Sequence, residues 1–153
     1  MTEAKLEALI AAKVDALNLA GVAVNPFFAV APAGGLANAV TEGSDAVLDI
    51  VPSNRENAVW ELPQFDFTFA LSLRSRFETD ADCSAHVARV SALTGLFAAY
   101  CGRGASAALR EGFTIDGEFT PVMAQLSGGS NEVDEDRGYR IWNQTFTIRG
   151  ITL

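Results

Sequence analysis

The sequence predicts an α+β domain: a single antiparallel or mixed β-sheet with two helices packed on it and long loops. Three patterns support this prediction. Residues Gln64 to Phe77 alternate between apolar and mostly polar side chains, as a half-buried strand does. Residues Leu6 to Leu17 and Cys83 to Cys101 instead place apolar side chains at helical spacing. Residues Tyr139 to Arg149 alternate again, and we expect one domain over residues 1–153.

The start of the chain is predicted to form a helix followed by a strand. Thr2 can cap the helix, and Asn18 and Gly21 end it. Residues Val22 to Ala31 are rich in strand-forming residues, but Pro26 lacks the amide proton that a central strand needs. An edge or bulged strand is therefore predicted.

Two long loops are predicted. Residues Ala31 to Ser44 include a proline and three glycines, and have little to bury. Residues Ser127 to Gly138 are acidic and rich in turn-forming residues. Extended loops on a rigid sheet commonly carry partner contacts, so both are candidates for such contacts. The alternative is that both loops are simply disordered.

The middle of the chain is predicted to supply the central strand. Ala46 to Val51 form a short strand closed by Pro52, Ser53 to Asn57 a polar turn, and Ala58 to Leu62 a returning arm. The alternation from Gln64 onward then predicts a long strand with one buried and one wet face. Its predicted buried residues are Phe65, Phe67, Phe69, Leu71 and Leu73.

The second helix follows this strand. Thr79 and Asp82 have the spacing of a capping box, and Gly102 ends the apolar stripe that begins at Cys83. Gly95 inside the helix is unfavourable unless close packing on a neighbour requires it. The helix is long enough to lie across the apolar face of the sheet.

The last third is predicted to be strands. Gly112 to Phe119 alternate, and Val122 to Leu126 continue as strand after Pro121. After the acidic loop, the closing strand has one apolar face and one polar face. Its apolar face consists of Trp142, Phe146 and Ile148.

No pattern of catalytic or metal-binding residues is found, and we predict a protein that is not an enzyme and binds no cofactor. His86 is the only histidine; a metal site with Cys83 would need more ligands. A Ser-His or Cys-His centre would depend on the same residue, and no Gly-x-Ser-x-Gly motif precedes a helix. We interpret His86 as a solvated or locally hydrogen-bonded helix residue.

The net charge of −8 argues against a nucleic-acid-binding face, because such affinity is built on clustered cations. No apolar run approaches the ~20 residues of a membrane span. The N-terminus lacks the apolar core of a signal peptide, so we expect synthesis in the cytoplasm. Cys83 and Cys101 are too few for a disulfide framework and are interpreted as small buried residues.

The order of elements resembles that of the tail terminator proteins of long-tailed bacteriophages and, more loosely, other small neck and tail-completion proteins. The matching features are, in chain order, the helix Leu6 to Leu17, the strand Phe65 to Leu73, the helix begun by Thr79 to Asp82, the acidic hairpin Asp134 to Asp136, and the strand Trp142 to Arg149. The resemblance covers most of the chain but not the glycine-rich loop, and it rests on the order of elements.

The resemblance implies a structural role in the virion, at its tail or neck. Tail terminators form a hexameric ring that caps the tail tube and joins it to the head connector. DNA passes the lumen without sequence-specific binding, and acidic side chains facing the lumen would repel its backbone. Within the same class, the alternative is a tail tube or other neck subunit.

A ring requires a heterologous interface, in which one patch meets a different patch on the neighbour. The candidate cations are Arg74 and Arg76 on the wet face of the central strand, with Arg140 and Arg149 on the last strand. Their candidate partners on a neighbouring copy are Asp134, Glu135 and Asp136. The alternative is that these charges only solubilise the surface.

A rival prediction from another class is a small-ligand-binding or enzymatic α+β domain with a pocket between sheet and helix. Such a pocket would need polar side chains on the apolar face of the central strand. The five predicted buried residues there, Phe65 to Leu73 at odd positions, include none.

Overall fold

The computed structural model describes residues 2–28, 45–59, 63–135 and 138–153. Within these residues the chain forms one five-stranded mixed sheet and three α-helices, which confirms the α+β fold class. The elements are α1 (Thr2–Ala16), β1 (Val22–Pro26), β2 (Ala46–Val59), β3 (Gln64–Arg76), α2 (Asp80–Ala98), α3 (Ser106–Phe113), β4 (Phe119–Asp134) and β5 (Tyr139–Thr152). A single 3₁₀ turn, Arg103–Ala105, precedes α3.

The strand predicted to organise the fold lies in the middle of the sheet. The strand order is β1-β2-β3-β5-β4, with β1 parallel to β2 and the other pairs antiparallel. The mixed sheet is thus the second of the two predicted alternatives. β1 is an edge strand, as Pro26 predicted, and left-handed backbone at Asn18 (φ 50°) and Gly21 (φ 73°) turns the chain from α1 into it.

The alternation of β3 is confirmed from Phe67 onward: Phe67, Phe69, Leu71 and Leu73 are buried, and the even-numbered residues are half-buried. Phe65, also predicted to be buried, is only half-buried, because it packs at the margin of the core cluster. Side chains of all three helices join the same core cluster as the four buried residues. The aromatic rings of this core pack closely, and the centroids of Phe97 and Phe146 lie 5.0 Å apart. Burying such side chains stabilises the fold by about 1.5–3 kcal/mol each.

The turn predicted at Ser53 to Asn57 and the returning arm predicted from Ala58 are wrong, because Ala46–Val59 is one strand that pairs with β3 on both sides of two register shifts. A shift in register between Pro52 and Asn54 accommodates the proline. Pro52 itself is opposite Phe69, and the residue that the shift leaves without a partner is Ser53.

The strand predicted for Gly112 to Phe119 is also wrong. Ser106–Phe113 is a third helix, where only two helices were predicted, and Phe113 points into the core against Tyr100 (centroids 5.0 Å apart). A short turn follows, in which Ile115 bridges to Phe119 and Gly117 takes a φ of 74°. The alternation seen in the sequence from Gly112 to Phe119 therefore spans the end of α3 and both sides of this turn, and does not mark a strand.

The long acidic loop is wrong over most of its predicted length, because β4 continues to Asp134 and pairs with β5. Gly128, at φ 66°, lies in the bulge between Ser127 and Ser130. The other predicted loop, Ala31 to Ser44, lies outside the described residues, as does Asp136.

The capping box of α2 is confirmed: the Thr79 hydroxyl accepts from the Asp82 amide (3.2 Å), and the Asp82 carboxylate accepts from the Thr79 amide (3.1 Å). A hydrogen bond from the Glu78 amide (2.9 Å) holds the pKa of Asp82 below its usual value, with smaller contributions from Thr79 and the nearby Arg76. Close packing does not explain Gly95, which is exposed with no atom within 4 Å of an added Cβ.

Candidate partner-binding surfaces

The structure places the predicted contact residues in two separate regions. Arg74 and Arg149 lie on the face of the sheet that points away from the core cluster, because each alternates with buried residues of its own strand. Arg140 pairs in register with the buried Ser75 and therefore lies on the helix-covered side. Glu135 is exposed just beyond β4.

Arg149 is held by a neighbour in its own chain. Its guanidinium donates two hydrogen bonds to the carboxylate of Asp66, Nε to Oδ1 at 2.7 Å and Nη2 to Oδ2 at 3.0 Å. The two residues are direct cross-strand partners on β3 and β5. This bidentate pair raises the pKa of Arg149.

Arg74 is also paired within the chain, its Nη2 lying 3.2 Å from Asp49 Oδ2 on β2. Asp49 in turn accepts from the side chain of Asn25 at 2.7 Å. Arg76 and Asp134 make contacts within the chain as well. The charges on the open face therefore balance one another in large part before any partner is considered.

Arg140 has no carboxylate beside it among the contacts of the described residues. Its guanidinium carbon lies 4.9 Å from the centre of the Phe77 ring, and its Nη1 donates to Cys83 Sγ at 3.4 Å. A cation–π contact holds the side chain in place without neutralising its charge. Among the predicted contact arginines whose contacts are described, Arg140 is therefore the one whose positive charge is most available to a partner.

His86 is a functional candidate that the sequence reasoning missed. It is not solvated: only 2% of its surface is exposed, and its Nδ1 lies 2.8 Å from Oγ of Ser75, which is fully buried on β3. Burial, then the charges of Arg140 and Arg89, lower the pKa of His86. Its Nε2 is buried and has no hydrogen-bond partner among the described residues. Only part of the signal was available: Ser75 continues the odd-numbered series of β3 onto the helix-covered side, but its contact with His86 depends on the fold.

His86 and Arg140 line the same groove, between the N-terminal half of α2 and the β4–β5 hairpin. We call it the hairpin groove, and its volume is about 440 Å³. Val87, which is 60% exposed, forms part of its apolar wall. Its lining residues are His86, Val87, Val90, Ser91, Asn131 and Arg140.

The Ser75–His86 contact does not have the geometry of a hydrolase centre. A nucleophilic serine must reach its substrate, and Ser75 is fully buried. A catalytic histidine also uses its second nitrogen to contact an orienting group, a role for which Nε2 of His86 has no partner in the described part of the chain. The described residues contain no group of three or more His, Cys, Asp or Glu that could hold a metal ion.

Two further observations bear on the general class of protein. No helix within the described ranges is long and apolar enough to cross a membrane. The interpretation of Cys83 and Cys101 as buried residues is wrong: both are free and only half-buried, and Cys101 lies beyond the end of α2 at Ala98.

Comparison with known proteins finds similarity among solved structures. No protein-family model and no curated protein sequence matches the chain. Among solved structures, the chain is similar to a chain from the virion of a native gene transfer agent particle. The TM-score is 0.59 at 16% sequence identity, and the match covers 95% of this chain and 94% of the other. The two chains share a fold from end to end.

Proposed function

We propose that this protein is a structural component of a phage-type virion and acts as its tail terminator. In this role a hexameric ring of copies caps the tail tube, stops its growth and joins it to the head connector. The observation that carries the proposal is the end-to-end fold similarity to a chain from a gene transfer agent virion. Fold alone does not determine function, so the features of this chain's own surface are needed as support.

The surface of the chain suits assembly better than catalysis. Charged side chains lie on the open face of the sheet and near the end of the β4–β5 hairpin; Glu135 is exposed, and Asp134, Arg140 and Arg149 are half-buried. The net charge of −8 is compatible with a lumen that DNA passes without binding. A tail tube subunit or another neck subunit would use the same features, and these roles remain the alternatives within the class.

The rival, an enzymatic or ligand-binding domain, would need space between the helices and the sheet. Aromatic side chains occupy that space: Phe113 lies 5.9 Å from Phe146 and Phe67 lies 5.4 Å from Phe119, centroid to centroid. The buried carboxylate of Glu7 serves the backbone there, accepting from the amides of Phe27 and Phe28. Burial raises its pKa although these hydrogen bonds oppose the rise.

Immunogold electron microscopy of particles from cells that make the protein tests the proposal. An antibody against the purified chain should place gold at the junction of head and tail. Gold along the whole tail would favour the tail tube alternative instead. Particles that carry no gold, and contain no peptides of this chain by mass spectrometry, would contradict a virion role.

A further inference from the structure

The hairpin groove combines three features that a purely structural crevice does not need. Its wall includes Val87, an apolar side chain left 60% exposed. Its rim carries Arg140, whose charge has a ring and a thiol beside it but no carboxylate among its described contacts. Its lining includes His86, 2% exposed, whose Nε2 has no hydrogen-bond partner in the part of the chain described. A buried polar atom without a partner costs free energy, so this end of the core is not arranged for stability alone.

The chemistry of these groups favours a carboxylate. None of the lining residues in the described part of the chain is acidic, although the chain as a whole has a net charge of −8. The Arg140 guanidinium is the donor that an incoming group can reach, and a carboxylate can accept two of its hydrogen bonds at once.

A matching segment exists at the end of the same hairpin. We call Glu132 to Glu135 the acidic end; it carries Glu132 and Glu135, both exposed, around Val133, which is 50% exposed. An apolar side chain flanked by carboxylates complements valines flanked by a cation. The acidic end is part of every copy of the chain, so a second copy brings the complement with it.

We propose that the hairpin groove receives the acidic end of a second copy of this chain, with Val133 against Val87 and Val90 and a carboxylate against the Arg140 guanidinium. This inference rests on the proposed function, since it locates one contact between copies in the assembly. A volume of about 440 Å³ accommodates a short strand end rather than a whole element. The remaining interface lies elsewhere on each copy.

Charge exchange between copies tests the inference. We expect R140E alone and E135R alone each to raise the concentration at which the chain assembles, measured by light scattering, by about tenfold or more. A mixture of the two variants should assemble at close to the wild-type concentration, because each variant then supplies the charge that the other lost. R103E, at an exposed arginine beyond the other end of α2, is the matched control and should behave as wild type.

A second variant tests the groove itself without touching the core. V87W fills the groove from an exposed position and should block assembly, whereas V122W, at an exposed valine on β4 that does not line the groove, should not. Because His86 is the only histidine, its imidazole gives a single set of NMR signals. In wild type those signals should shift with protein concentration, and in V87W they should stay fixed.

Two results would overturn the inference. One is assembly of R140E, E135R and V87W at the wild-type concentration, with imidazole signals that do not respond. This result would leave the proposed function intact, because copies would then join through another surface. The other is a wild-type chain that stays monomeric at every concentration, in which case the gold labelling of particles still judges the virion role separately.

Discussion

The two ends of the helix-covered side of the sheet differ in how completely their buried side chains find packing and hydrogen-bond partners. At one end, which we call the packed end, Phe67, Phe119, Phe113 and Phe146 interlock with rings 5–6 Å apart and are fully buried. At the other, the polar end, Ser75 and His86 are buried together, Arg140 contacts a ring and a thiol, and a groove remains open.

The difference indicates that one end of the core serves stability and the other end serves a different role. The packed end follows the rules of a stable interior, with apolar side chains at high density. The polar end breaks them, since a buried imidazole nitrogen there lacks a partner among the described residues. Places where a sequence departs from what stability favours are commonly functional, which is why the contact between copies is proposed at this end.

The largest effect is expected at the packed end. Phe146 is fully buried, with Phe97 and Phe113 against it. We expect Phe146→Ala to lower the free energy of unfolding by about 3–5 kcal/mol, because the ring leaves a cavity that the neighbours fill only in part. Urea unfolding followed by circular dichroism measures the change. A loss below about 1 kcal/mol would mean that this end is not the rigid core described here.

A smaller loss of stability is expected at the polar end, and a second substitution should restore most of it. Ser75→Ala leaves Nδ1 of the buried His86 without its partner and should cost about 1–3 kcal/mol. The double variant Ser75→Ala/His86→Leu removes both polar groups and should recover most of that loss while assembling poorly. The same unfolding measurement, beside light scattering, checks both statements. A double variant less stable than Ser75→Ala would show that the imidazole itself stabilises the fold.

A gain is expected on the exposed side of α2, away from both ends. Gly95→Ala adds a Cβ that meets no atom within 4 Å. Alanine is favoured over glycine in a helix interior by up to about 1 kcal/mol, so the midpoint of urea unfolding should rise. Assembly should not change, which makes this variant a stabilised background for the weakened ones. A fall in stability would mean that the exposed surface of α2 makes contacts not described here.

The smallest effect is a dependence on pH that arises at the polar end. The pKa of His86 lies below 6.5 in the folded chain, because of burial and of the charges of Arg140 and Arg89. Between the folded pKa and 6.5 the unfolded chain binds the proton more readily. The contribution of His86 to stability is therefore complete above pH 6.5 and declines as the pH falls through this window. Urea unfolding of dilute wild-type protein at several pH values should show this decline in the free energy of unfolding. The double variant Ser75→Ala/His86→Leu should not show it.

Local patterns were sufficient to predict the parts of the fold in which local preference and tertiary packing agree. The alternation from Gln64 identified the central strand, and the Thr79–Asp82 spacing identified the start of α2. Phe67 and Phe69 were predicted to be buried, and they are. In each case the residues that define the element also make its main contacts.

The errors occur where a long-range contact overrides a local signal. Pro52 looks like the end of a strand, yet pairing with β3 and a bulge carry β2 past it. The turn-forming residues from Ser127 to Ser130 look like a loop, yet pairing with β5 keeps them in a strand. Neither partner strand can be identified from the segment itself, so the sequence alone could not correct these predictions.

The candidate site was predictable only in part, for the same reason. Arg140 and Glu135 were selected by charge, and their places in the proposed contact between copies await measurement. His86 was passed over because its partner, Ser75, lies on another element and only the fold brings the two within 2.8 Å. The open face adds a further lesson, since Arg149 looked available but is paired with Asp66.

The mass and shape of the purified protein over a concentration series test the central claim, that the chain is an assembly protein, most directly. Light scattering would give the mass, and negative-stain electron microscopy the shape. We predict closed rings of several copies at high concentration, or after purified tail tubes are added. A chain that remains a monomer or a compact dimer throughout, and that does not bind tail tubes, would contradict this account.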